Sequence, residues 1–111
     1  MINWPKEFSP NEWPTGVLEA MSEDLFNKAL FPLRQASGVR MSPSVLTEAH
    51  VRVTGTSRHS TNNGKRKSDA TDIHVDSVQD LATVFAHAQR NPAIGGIGLY
   101  FDTNRPMFHI D

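Results

Sequence analysis

The chain has 111 residues, of which 38% are hydrophobic and 21% charged, with a formal net charge of −1 and no cysteine. That length suits one core and leaves no room for a second, the composition is that of a globular domain rather than a disordered tail, and near-neutrality removes any overall pull toward nucleic acid or acidic membranes. Disulfides and thiolate metal sites are excluded, so any metal must be held by His, Asp or Glu.

Residues 1–20 carry Trp4, Pro5, Pro10, Trp13, Pro14 and Gly16, which predicts an irregular arm pinned by aromatic side chains. The first residues include acidic groups and prolines where a signal peptide needs a basic start and an apolar run, and no apolar run approaches the roughly 20 residues needed to cross a bilayer. Synthesis in the cytoplasm without a signal peptide is the expectation. From Ser22 to Gly38, Leu25, Phe26, Ala29, Leu30 and Leu33 recur at helical spacing, predicting a helix with Pro32 as the place for a kink.

Residues 38–43 and 49–56 read as short strands, the second because His50-Val51-Arg52-Val53-Thr54 alternates polar with apolar. Residues 57–68 are polar and rich in Asn, Gly and Lys, which predicts a long surface loop. Over residues 70–75 the alternation returns and puts Asp72 and His74 on one strand face, Ile73 and Val75 on the other. Asp76 or Ser77 can cap a helix whose apolar stripe is Val78, Leu81, Ala82, Phe85 and Ala88, ended by Asn91-Pro92. Residues 97–100 and 107–110 then predict a hairpin. The fold class expected is α+β, a small antiparallel sheet packed by two main helices in a single domain over residues 1–111.

His59 after one strand, Asp72 at the start of another and His109 inside the last supply imidazole and carboxylate donors on separate elements, as a cysteine-free zinc site requires. Each also has an ordinary reading, as a loop histidine, a turn aspartate and a half-buried strand histidine.

Four short pieces occur in order: Ser57-Arg58-His59, Ser68-Asp69-Ala70-Thr71-Asp72-Ile73, Gly96-Ile97-Gly98-Leu99-Tyr100 and Met107-Phe108-His109-Ile110-Asp111. As a set spanning residues 39–111 they resemble the M15 peptidases, the D-Ala-D-Ala carboxypeptidase and phage endolysin group that shares its fold with the hedgehog signalling domain. The resemblance implies that His59, Asp72 and His109 bind Zn²⁺ on the sheet. It implies hydrolysis of an amide bond in the peptide stem or cross-bridge of bacterial peptidoglycan by a phage or prophage lysin, acting on the cell wall after release or as a virion component.

Three departures from the family pattern bear on that reading. Asp72 stands 13 positions after His59, a longer interval than is usual, so residues 61–66 read as a loop insertion at the mouth of the site. The position of the usual acidic general base, three before the last histidine, is Pro106, which leaves Asp102 as the candidate base. Relatives usually continue beyond the position of Asp111, whose carboxylate is a candidate to orient a ligand histidine. Arg58, or Arg66, would offset charge on the intermediate.

A different class is a catalytically silent module of the same fold, serving in a virion beside other virion proteins; Pro106 favours it. His74 is a possible fourth ligand or a packing residue. His50 and His87 read as surface or capping residues, and Trp4 with Trp13 as core or lid. Nucleic-acid binding through Lys65-Arg66-Lys67 would be strongly salt-dependent, but the neutral charge and the lack of interleaved aromatics argue against it.

Overall fold

The protein is described by a computed structural model covering residues 1–101 and 104–111. In chain order come α1 (Phe31–Ser37), β1 (Ser42–Pro43), β2 (Thr71–His74), α2 (Val78–Ala88), β3 (Ile97–Tyr100) and β4 (Met107–Ile110). The four strands form one sheet in the order β1-β2-β4-β3, with every neighbouring pair antiparallel. The architecture is α+β, the sheet packed by two helical segments.

The predicted arm is a packed one. Its two 3-10 turns, Pro10–Glu12 and Leu18–Ala20, are strung between aromatic anchors: Trp4 lies 5.4 Å from Trp13 and 5.5 Å from Phe26, while Trp13 lies 5.3 Å edge-on from Phe26. Such ring pairs add about 0.5–1.5 kcal/mol each beyond their buried area, enough to order a segment that has no ladder of its own.

The first helical segment differs in kind from the simple helix expected. Leu25–Leu30 is π-helical and passes into α1, with Pro32 in the first turn. Proline has no N–H to offer the carbonyl four residues back. That carbonyl, Lys28 O, accepts instead from Asn91 Nδ2 at 3.1 Å, so the residue that ends α2 satisfies what Pro32 leaves open. Gly38, at φ +67°, closes α1 in the left-handed conformation. In α2, Ser77 caps the N-terminus through its hydroxyl, which accepts from Asp80 N at 3.1 Å. Its buried face is Leu81, Val84 and Ala88, whereas Val78 and Phe85 of the expected stripe are exposed.

The strand expected over 49–56 is not formed. Thr47–Ala49 is a 3-10 turn, and the following backbone bonds only locally, Arg52 N to His59 O at 2.9 Å and Asn63 N to Val53 O at 2.8 Å. The alternation there arises from one buried side chain, His50, beside an exposed Val53, and Gly55 at φ +108° turns the chain away from any sheet. The strand expected over 38–43 shrinks to Ser42–Pro43.

The sheet sorts its residues by register. Thr71↔Ile110 and Ile73↔Phe108 face the core, where Ile73, Phe108 and Ile110 are fully buried with Phe26, Leu30, Leu33, Leu81 and Val84. Because side chains alternate across a strand, Asp72↔His109 must face the opposite side. The pairing of β2 with β4 is therefore both the centre of the sheet and the base of the site.

Candidate metal centre

Directly opposed residues on antiparallel strands hold their Cβ atoms about 5 Å apart, which is what brings His109 Nδ1 to 3.0 Å from Asp72 Oδ1. His59 arrives from the loop. The Ser57 hydroxyl accepts from His59 N at 3.2 Å and the Ser57 carbonyl accepts from Ser60 N at 2.9 Å, a tight turn that directs His59 inward until its Nε2 lies 3.4 Å from the same Asp72 Oδ1. One donor atom from each of His59, Asp72 and His109 falls within 4.8 Å of the other two, in a group that could hold a metal ion.

Burial alone would push the Asp72 carboxyl up, but the hydrogen bonds from His109 and His59 hold it down at about 2. His109 is raised, chiefly by its bond to Asp72, against the effect of burial and with help from Asp111. The centre is thus an anionic oxygen flanked by two imidazoles, and a cation placed there would find its charge already matched.

Two further observations test whether a metal fits. His59 is buried, and its Nδ1 has no hydrogen-bond partner among the described residues. An orphaned buried polar atom costs roughly 1–3 kcal/mol, so hydrogen bonding within the described residues does not explain the position of His59; the nitrogen that an ion at the centre would meet is Nε2, on the side of Asp72. Two imidazoles and a carboxylate are also the donor set of catalytic zinc centres, which keep a position open. The residues present fit a divalent metal.

The loop that carries His59 is held from behind. Arg66 donates from Nε to Ser60 O and from Nη2 to Ser57 O, both at 2.8 Å, and Lys67 Nζ donates to Glu19 O. The predicted surface loop is accordingly pinned, with His59, Ser60, Thr61 and Ser68 buried. The Arg66 guanidinium is committed to backbone carbonyls rather than to a substrate. Arg58 is different: it is exposed, pairs with Asp69 at 3.5 Å, and lines a cavity of about 430 Å³ together with Lys28, Asp69, Gly95 and Asp111. Asp69 Oδ1 is buried there without a partner among the described residues.

Asp102 lies outside the described residues. His74 does not join the centre; its Nδ1 lies 3.3 Å from Arg105 O. Pro106 continues the sheet, its carbonyl accepting from Val75 N at 2.9 Å. Asp111 does join, with Oδ2 accepting from His109 Nε2 at 2.8 Å. His50, expected at the surface, is instead fully buried. Its Nε2 donates to Ser44 O and its Nδ1 accepts from Thr71 Oγ1, both at 2.7 Å, so it fastens the turn at Thr47–Ala49 to the start of β2. Tyr100 shares the face of His109, its ring and hydroxyl each 3.7 Å from where a Cβ on Gly98 would lie.

No family model, curated protein or solved structure matches the chain at a significant level.

Proposed function

We propose that the chain is a zinc metallopeptidase of the M15 type, with the hedgehog/D-Ala-D-Ala peptidase fold, that hydrolyses an amide bond in the stem or cross-bridge peptides of bacterial peptidoglycan. The observation that supports this best is the convergence of His59 and His109 on one oxygen of Asp72, at the positions where the sequence resembles the family's zinc-binding motifs.

His59, Asp72 and His109 would hold the metal, and zinc so held supplies a Lewis acid that activates water and polarises a carbonyl at neutral pH. The chain's own residues carry the rest. Asp72, ionised down to about pH 2, keeps its charge throughout the working range. Arg58, at the cavity that Asp111 also lines, would meet a carboxylate of the stem peptide or the developing negative charge of the intermediate. Asp102 is the candidate to take the proton from water and pass it to the leaving amine. A phage or prophage lysin that reaches the wall after release, or as part of a virion, is the setting that suits such chemistry.

Pro106, where the family places its acidic base, supports a second reading: a silent module that keeps the fold and the metal but cuts nothing. One experiment separates the two. Purified peptidoglycan and synthetic stem peptides are incubated with the parent, His109→Ala and Asp102→Asn, each with and without zinc. Zinc-dependent product release by the parent that disappears in His109→Ala supports the peptidase, and activity retained in Asp102→Asn removes Asp102 as base. Stoichiometric zinc binding with no product from any stem peptide leaves the silent module.

A further inference from the structure

Asp111 and the Gly95-Gly96 pair make a device that bears on His109 from the side away from Asp72. The Asp111 main-chain oxygen accepts from Gly95 N at 2.7 Å and from Gly96 N at 3.3 Å, and Asp111 N donates to Gly96 O at 3.1 Å. These bonds continue the pairing of β3 with β4 by one more residue and fix the backbone from which the Asp111 side chain departs. The carboxylate then lies flat against Gly96: a Cβ at that position would stand 2.9 Å from Oδ1, 3.1 Å from Oδ2 and 3.3 Å from Cγ. Only a residue without a side chain leaves the carboxylate where it is. There, Oδ2 accepts from His109 Nε2 at 2.8 Å.

Both ring nitrogens of His109 face carboxylate oxygens, Nε2 that of Asp111 and Nδ1 that of Asp72 at 3.0 Å, and a carboxylate can only accept; an ion at the centre would take the place of the proton on Nδ1, while Asp111 would keep the proton on Nε2. We propose that Asp111 is a positioning residue for the metal centre, seated by the missing side chain of Gly96, and that it fixes His109 in the tautomer and orientation that present Nδ1 to the ion. This rests on the metal-binding part of the proposed function and adds two residues, Asp111 and Gly96, that act on the centre through His109. A carboxylate behind a ligand imidazole also makes the imidazole a stronger donor. The glycine's role is steric and specific: Gly96 has ordinary backbone torsions, so it is kept for the space it leaves and not for its conformational freedom.

The test is zinc affinity, measured by competition with a chromophoric chelator on the full chain, for the parent, Asp111→Ala, Gly96→Ala and a control, Val84→Ala, which trims a fully buried side chain of α2. Nitrogen-edited NMR of the histidine rings is recorded alongside. We expect Asp111→Ala and Gly96→Ala each to weaken zinc binding by about 10–100-fold, the usual cost of losing a ligand's outer partner. We also expect both to lose the exchange-protected Nε2 proton of His109, while Val84→Ala changes neither.

Parent-like affinity in Asp111→Ala overturns the proposal. So does an equal loss in Val84→Ala, which would assign the effect to general stability. If Gly96→Ala does not fold, Asp111→Ala and the ring spectrum decide alone. A parent that takes up no zinc defeats this proposal and the peptidase reading together, whereas zinc binding without turnover defeats only the peptidase.

Discussion

His50 and His59 are both buried, at 0% and 3% exposure, and they are opposite in kind. Each ring nitrogen of His50 has a partner, one a carbonyl and one a hydroxyl, at 2.7 Å; the carbonyl fixes the tautomer, and burial lowers the pKa against the opposing bond to Ser44, so the ring stays neutral. His59 has Nε2 3.4 Å from a shared carboxylate oxygen and Nδ1 without a hydrogen-bond partner among the described residues. The first histidine is complete once the chain has folded. The second keeps an unsatisfied nitrogen and only a long contact to Asp72, so it contributes little to the fold, and that contrast separates the two better than burial does.

The strongest way to sharpen the contrast is to add the ion. Zinc in roughly 1,000-fold excess over its dissociation constant stabilises a folded domain by about 4 kcal/mol, which for a chain of this size raises the unfolding temperature by roughly 15 °C. Thermal scans should show that shift in the parent, none in His59→Ala, and most of it in His50→Gln. A shift lost equally in both variants would erase the distinction.

Next in size is truncation without metal. His50→Ala opens a cavity and strands Ser44 O and the Thr71 hydroxyl, for an expected loss of about 3 kcal/mol in urea unfolding with chelator present. His59→Ala, which gives up no well-made bond, should cost less than half as much. The reverse order would mean that His59 is the structural histidine.

The pH dependence of the metal-free protein draws the same kind of contrast between His50 and His109, the other imidazole beside Asp72. The pKa of His50 is lowered on folding, so the unfolded chain binds the extra proton first, and stability falls as pH drops below about 6.5, its unfolded value. The pKa of His109 is raised, so its contribution has the other sign: present in full below about 6.5 and lost as pH climbs through the folded value. Urea titrations should therefore show His50→Gln costing more at pH 8 than at pH 5, and His109→Gln costing more at pH 5 than at pH 8. The smallest effect is expected from Arg66→Ala, whose exposed guanidinium holds two loop carbonyls; about 1 kcal/mol or less should be lost, with little change in zinc affinity.

Much of the sheet was legible because the alternation over 70–75 records both the core face and the site face of β2, and the two short stretches 97–100 and 107–110 mark the hairpin. Ser77 and the Asn91-Pro92 stop marked α2 for equally local reasons. What could not be read were contacts between distant segments. His50 mimicked a strand residue because its partners, Ser44 and Thr71, are recognisable only in three dimensions. The π-helical stretch before Pro32 depends on Asn91, 63 residues away from Lys28. The Gly95-Gly96 pair was visible, but its meaning is the carboxylate lying on it.

The strand order β1-β2-β4-β3 carries a consequence for the life of the chain. β4 is synthesised after β2 and β3 yet lies between them, so β3 has no strand neighbour, and β2 only the two-residue β1, until β4 docks. Asp72 meets His109 across a separation of 37 residues, a non-local closure of the kind that slows folding. A nascent chain emerging from the ribosome can form the aromatic arm, α1 and α2 first, but it has no cation site to offer until His109 is out. An ion held by His59, Asp72 and His109 would bind only after β4 has docked and could not guide the earlier steps.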